Sequence, residues 1–209
     1  NILSKTVVAT CDVEIFNYIE SIGGHAVMTG DYHERASDRC AEALDILEKT
    51  EVIRYDIIVM VQGDEPMVHP DMINQAIEPM LKDSKILVTN LLGKINSKEE
   101  FLDRNCIKVV CDLDNNAMYF SREPIPTLAN LENVTMLKQV CIIPFRRDFL
   151  LKYISMKPTE LEIAESIDMM RVLENGFNVH MVPTNYESYA VDTPDDLKRV
   201  EKFMKKFSN

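Results

Sequence analysis

Five apolar residues without interruption, Ile57-Ile58-Val59-Met60-Val61, run directly into Gln62-Gly63-Asp64-Glu65-Pro66. An apolar run of that length with no polar alternation reads as a strand covered on both faces, the pattern of a parallel sheet flanked by helices. In open α/β sheets, ligands bind just outside the carboxyl ends of such strands. Gly63 lets a ligand approach the backbone closely. Asp64 then presents a carboxylate where the strand stops. A hard carboxylate there suits Mg²⁺, which takes one or two carboxylates and completes its shell with phosphate and water.

Strand and helix signals alternate ahead of and behind this junction. Residues 6–10 read as a strand. Asp12 then caps a helix with Val13, Phe16, Ile19 and Ile22 on one face, and Gly23-Gly24 ends it. A short strand at 25–28 precedes a helix opening at Ala36 or Ser37, with Cys40, Ala43, Leu44 and Leu47 inward. Pro70 suits the first position of the next helix, with Asp71 in its first turn and Ile73, Ile77 and Met80 inward. Residues 86–90 form another strand. This order predicts a mixed, mostly parallel sheet flanked by helices, an α/β fold with right-handed crossovers.

The second half has a different rhythm. Residues 107–111 and 117–120 read as the two arms of a hairpin. The stretch 123–135 reads as a loop. A strand covers 140–143, a helix runs from 161 to 174 up to Asn175-Gly176, and a strand follows at 178–182. Thr193, Pro194 and Asp196 mark the start of the last helix as cap, first position and capping-box partner. The whole chain, 1–209, reads as one domain, with 120–160 forming a small lobe able to pair subunits.

Composition limits the function classes. A formal net charge of −11 over 209 residues argues against a broad nucleic-acid or anionic-membrane surface. A small nucleotide is compatible with that charge, because a metal neutralises phosphate locally. The longest apolar stretches are strand-length, well short of a spanning helix. Five cysteines are scattered without a Cys-x-x-Cys pair, which points to reduced thiols and a cytoplasmic setting. His25, His33, His69 and His180 show no metal-ligand spacing.

Asp192 lies just before the last helix. One reading is an acid that favours the helix dipole, the other a second metal ligand facing Asp64; spacing alone favours the dipole role. Arg39 at a helix opening reads as a surface ion pair, Ser37 as an N-cap, and Arg122 at a strand end as a solvated cation.

Taken together, several motifs resemble the cytidylyltransferases that make CMP-activated 2-keto sugar acids, the CMP-KDO synthetase (3-deoxy-manno-octulosonate cytidylyltransferase) family above all. They are Ser37-Asp38-Arg39, Val61 to Pro66, Lys108-Val109-Val110, Tyr119 to Pro126, Arg171-Val172-Leu173 and Val191-Asp192-Thr193-Pro194-Asp195-Asp196-Leu197. The resemblance implies a nucleotide-binding α/β domain of the nucleotide-diphospho-sugar transferase type with a dimerising lobe, and a homodimer. It implies transfer of CMP from CTP to KDO or a close relative, with release of pyrophosphate, for lipopolysaccharide or surface polysaccharide synthesis. Neither nucleic acid nor membrane is an expected partner. The resemblance gives Mg²⁺ as cofactor, held by Asp64 and Asp192 as the catalytic pair. It places Gln62 by the sugar or nucleotide, Ser37 and Arg39 in the cytidine loop, and Arg122 near the sugar carboxylate.

Two departures bear on substrate choice. Gln139 stands where the family usually has a His, and Asp168-Met169 where it has a Glu-Gln pair that contacts the sugar acid. Gln139 and Asp168 can hydrogen-bond a polyol, whereas Met169 does so poorly. KDO is thus the first expectation, with sialic-acid-like or amino-KDO-like acids behind it. The family also begins with a strand, a basic triphosphate-binding loop and a helix, a βα unit expected ahead of Asn1 and not found in this sequence. A non-catalytic nucleotide-binding fragment is the corresponding alternative.

Overall fold

The computed structural model describes residues 2–127 and 134–207. In chain order the first elements are β1 (Val8–Thr10), α1 (Val13–Ser21), β2 (Ala26–Met28), α2 (Ala36–Glu51) and β3 (Ile57–Val61). Then come α3 (Pro70–Lys82), β4 (Thr89–Lys94), α4 (Lys98–Leu102), β5 (Lys108–Cys111) and β6 (Ala117–Ser121). The remainder are β7 (Leu137–Val140), β8 (Ile142–Arg146), α5 (Arg147–Ser155), α6 (Glu160–Glu165), α7 (Asp168–Glu174), β9 (His180–Pro183) and α8 (Pro194–Phe207). Among the described residues no helix is long and apolar enough to cross a membrane.

The chain forms two compact units, Asn1–Met60 with Phe145–Lys157, and Val61–Pro144 with Pro158–Asn209. In the first, β1 and β2 pair in parallel from Val8↔Ala26 to Thr10↔Met28. The Asp12 carboxylate accepts the amides of Glu14 (2.7 Å) and Ile15 (3.1 Å), the predicted cap. Gly23, at φ +79°, turns the chain out of α1 in a conformation that only glycine adopts without strain. The predicted inward stripe of α1 is covered only in part. Phe16 and Ile19 are half-buried, while Val13 and Ile22 stay exposed, because two three-residue strands are too small to cover the whole stripe. Helix α2 packs on α5, and Arg147 of α5 grips Glu48 with Nε at 2.8 Å and Nη2 at 2.6 Å.

The second unit holds a five-stranded mixed sheet in the order β6-β5-β7-β4-β9. The β4–β9 pair is parallel; the β4–β7, β5–β6 and β5–β7 pairs are antiparallel. The β5–β6 pair is the predicted hairpin, with a register shift between Val110 and Cys111. Helix α3 covers β4 with Met72, Ala76, Ile77 and Met80 buried, and the Thr89 hydroxyl donates to the Ala76 carbonyl at 2.6 Å. A fully buried Met or Ile side chain contributes about 1.5–3 kcal/mol. Packing therefore holds α3, whereas α1, with no buried residue, relies on its caps and its partial contact with β1 and β2. Arg171 and Glu162 form a buried ion pair between α6 and α7, with Nε 2.6 Å from Oε2.

Three elements differ from their sequence pattern. Strand β4 lies at 89–94 rather than 86–90, because Leu91–Lys94 find a partner in β7. The predicted strand 140–143 is two strands, since the chain bends at Cys141, leaves the five-stranded sheet and enters the two-stranded sheet of β3 and β8. The predicted helix 161–174 breaks at Ser166, which adopts φ +53°. Helices α4 and α5 are additional to the sequence pattern; α4 opens on Ser97, whose hydroxyl accepts the Glu100 amide at 3.1 Å. Within the predicted loop 123–135 and the predicted lobe 120–160, residues 128–133 lie outside the described residues.

Candidate active site

The turn after β3 is bound to a distant part of the second unit by its own backbone. The Gln62 amide donates to the Cys141 carbonyl at 3.3 Å, and the Glu65 amide closes the turn onto the Gln62 carbonyl at 3.2 Å. The buried Glu65 carboxylate accepts the Cys141 amide at 3.2 Å and the Ser188 hydroxyl. The Asp64 carbonyl accepts the Val191 amide at 2.9 Å, which brings the residue before Asp192 against Asp64. At the start of α8, Thr193 and Asp196 form the predicted capping box, with the Asp196 amide 3.2 Å from the Thr193 hydroxyl and the Thr193 amide 2.9 Å from the Asp196 carboxylate.

Two acids far apart in sequence therefore share one environment. Burial, then the charge of Asp64, followed by Asp196 and Asp103, pushes the Asp192 carboxyl above the usual range, and Arg122 pulls the other way. Burial likewise raises Glu65, against the bonds from Ser188 and Cys141. The Cys141 thiol is pushed up by burial and then by Glu65, Asp64, Asp168 and Asp192, so four carboxylates lie within electrostatic reach of one sulfur. The Asp64 Oδ1 atom is buried without a hydrogen-bond partner. A Cβ built on Gly63 would meet open space. An orphaned carboxylate oxygen beside a second acid of raised pKa fits a divalent cation. Among the described residues no group of three or more His, Cys, Asp or Glu side chains could hold a metal. A pair of carboxylates suits Mg²⁺ better than a metal that needs a full protein cage.

Arg122 stands at the end of β6. Its Nε donates to the Glu165 carbonyl (2.7 Å), its Nη1 to the Arg104 carbonyl (3.0 Å) and its Nη2 to the Ser166 carbonyl (3.2 Å). The Glu165 carboxylate accepts the Arg122 amide (2.9 Å) and the hydroxyls of Tyr119 and Ser121 (each 3.1 Å). The break at Ser166 is what turns two successive carbonyls toward this guanidinium. Arg122 is thus fixed by carbonyls that leave its charge in place, unlike the solvated cation that its position alone suggests.

Gln139 is buried on β7, and its amide donates to Asn90 Oδ1 at 2.5 Å; Asn90 in turn donates to the Val140 carbonyl at 2.6 Å. Asp168 is half-buried at the start of α7, and Met169 beside it is fully buried. Gln62 is half-buried in the turn.

In the first unit, Ser37 is buried in the first turn of α2, whose N-cap is Arg35, so the hydroxyl is not the cap that its type suggests. Arg39 Nη1 donates to the Thr29 hydroxyl (2.6 Å) and the Gly30 carbonyl (3.0 Å), so it braces the 29–35 segment instead of forming a surface ion pair. The Glu42 carboxylate accepts the Gly30 amide at 2.9 Å and meets His33 Nε2. Sequence reasoning missed Glu65, Asp103, Glu165 and Ser188. Glu65 lies inside the motif, but its partners are supplied by residues 141 and 188; Glu165 is disguised by a continuous helical pattern.

Comparison with known proteins gives the family. The family described as Cytidylyltransferase matches residues 1–206. The 3-deoxy-manno-octulosonate cytidylyltransferase of Geotalea uraniireducens (strain Rf4) is 41% identical over 217 residues, 99% of this chain and 84% of that protein. The protein of that name from Fusobacterium nucleatum subsp. nucleatum is 37% identical over 203 residues, 97% of this chain and 81% of its own length. A solved structure of CMP:2-keto-3-deoxy-manno-octonic acid synthetase complexed with CTP matches with a TM-score of 0.86 at 32% identity, covering 98% of this chain and 82% of that one. With its fold and nearly its whole length matched, the chain belongs to the cytidylyltransferase family, among the 3-deoxy-manno-octulosonate cytidylyltransferases.

Proposed function

We propose that this chain transfers CMP from CTP to KDO and releases pyrophosphate. The observation that carries the reading is the tie between the Asp64 carbonyl and the Val191 amide, which sets Asp192 beside an Asp64 oxygen that has no protein partner. In the reaction a hydroxyl of the sugar acid attacks the α-phosphorus, the new P–O bond forms, the bond to pyrophosphate breaks and the hydroxyl proton is lost. Such transfers need positioning and neutralised charge more than covalent help from the protein.

Asp64 and Asp192 would hold Mg²⁺, which when bound would neutralise charge at the attacked phosphate and make the sugar hydroxyl easier to deprotonate. Arg122 offers a planar fork matched to the carboxylate of the acid. Gln62 would meet sugar or nucleotide from the same turn as Asp64, and Ser37 and Arg39 would line the cytidine loop. Gln139 and Asp168 would border the sugar. The buried Gln139 already donates to Asn90, which favours a sugar contact different from that of the family's His. That observation keeps a related 2-keto-3-deoxy acid as the second substrate reading. A homodimer acting in the cytoplasm, for lipopolysaccharide or surface polysaccharide synthesis, completes the proposal.

Pyrophosphate release from CTP with Mg²⁺, assayed on KDO and on sialic-acid-like and amino-KDO-like acids, tests the reading. Asp64→Ala and Asp192→Ala should each cut turnover by about 100-fold or more, with melting temperature largely kept. A rate near that of the parent in either variant would overturn the metal assignment. A folded protein that gives no calorimetric heat with CTP and Mg²⁺ would favour a non-catalytic fragment.

A further inference from the structure

Lys108 is the first residue of β5, paired with Ser121 on one side and Lys138 on the other. Its side chain is fully buried, which is rare for lysine and costly unless its donors are satisfied. The ammonium donates to the carbonyls of Asp103 (2.8 Å), Cys106 (2.7 Å) and Arg122 (2.5 Å). All three protons are used, and every acceptor is backbone. Among the described residues no carboxylate forms an ion pair with it. A methionine of similar length would fill the same space, so packing alone does not call for a lysine.

What the three carbonyls share is Arg122. The 103–106 segment, which Lys108 holds at both ends, contains the Arg104 carbonyl that accepts Arg122 Nη1. Lys108 also holds the Arg122 carbonyl itself. Backbone and guanidinium of Arg122 are thus fixed from one side by Lys108, directly and through the 103–106 segment. From the other side they are fixed by Glu165 and Ser166. The same segment carries Asp103, whose charge acts on Asp192.

We propose that Lys108 is a positioning residue for recognition of the acid substrate: its buried ammonium sets where the Arg122 guanidinium stands. The inference rests on the reading that Arg122 meets the substrate carboxylate. It adds a residue that touches neither substrate. A cation is needed because an ammonium gathers three carbonyls at one point and, with all three N–H groups used, keeps no spare donor that would compete for the substrate carboxylate. Among the described residues the guanidinium then has no carboxylate in contact, and its charge is available to an incoming one.

Steady-state kinetics of the full chain with CTP, Mg²⁺ and KDO on Lys108→Met, Arg122→Ala and the double variant test it. Lys108→Met should raise KM for KDO about tenfold or more while KM for CTP stays within about twofold, since a small misplacement of a clamp costs that much. In the Arg122→Ala background, Lys108→Met should add little, because the two act as one unit. Equal rises in both KM values, or additive losses, would overturn the proposal. Lys108→Gln keeps two donors and serves where Lys108→Met does not fold; it should recover part of the KM for KDO. Collapse of both variants would assign Lys108 to stability alone and also overturn the proposal. The Arg122 Nε–H signal in ¹⁵N NMR, assigned by its loss in Arg122→Ala, gives a readout independent of turnover. Lys108→Met should shift it and speed its exchange, even should KDO prove the wrong acid; an unchanged signal overturns the positioning role.

Discussion

Glu65 shows how one buried side chain can tie distant stretches of chain together. Its buried carboxylate joins the turn that carries Asp64 to Cys141 and Ser188. Burial holds its pKa above the usual value, so the folded protein keeps this proton at pH values where the unfolded chain has lost it. Stability from this group is therefore greatest below the unfolded pKa and falls as pH rises through the folded one. Glu65→Gln keeps an acceptor for the Cys141 amide and removes the titration. Urea denaturation across the mildly acidic to neutral range should show a flatter profile for Glu65→Gln and a midpoint at neutral pH at or above that of the parent. A steeper profile would contradict the assignment. The profile should be flatter but not flat, since the raised carboxyl of Asp192 acts with the same sign. The residue pattern made Asp64 visible because it ends an apolar run. It left the work of Glu65 and Lys108 hidden, because their partners are mainly backbone groups brought together by the fold.

Elements that the sequence made plain are those specified by local chemistry. Asp12, the Thr193–Asp196 box, Pro70 and the β5–β6 hairpin all appear where residue type demands them. Elements misread were decided by long-range pairing. The run Val140-Cys141-Ile142-Ile143 has no local mark of a bend, and helical periodicity continues through Ser166 although its backbone is left-handed. Val52 is the exposed counterpart, a β-branched C-cap of α2 at φ +55° with 89% of its surface accessible. With nothing to lose in packing, Val52→Gly should stabilise the protein by about 1 kcal/mol, because glycine takes this conformation without the Cβ clash. Thermal or urea unfolding reads the gain; a loss of stability would mean that the left-handed turn is not strained.

At the scale of the whole molecule, protection from exchange should follow burial. Helix α1 has no buried residue, whereas β4 is buried along Thr89–Gly93 and paired on both sides. Hydrogen exchange read by mass spectrometry should find α1 amides exchanging roughly 100-fold or more faster than those of β4. Equal protection would show that α1 is held by more than its caps and its contacts with β1 and β2. The bend at Cys141 has a further consequence for how the chain tolerates change. Alignment between strands has a period of two, so a slip of one position turns a strand's faces over. A slip in β7 stops at the bend and is not handed on to β8, much as a firebreak confines a fire. Insertions on either side can be absorbed within one sheet. Deleting the bend residue itself would remove the amide and the carbonyl by which two distant stretches of chain are moored together.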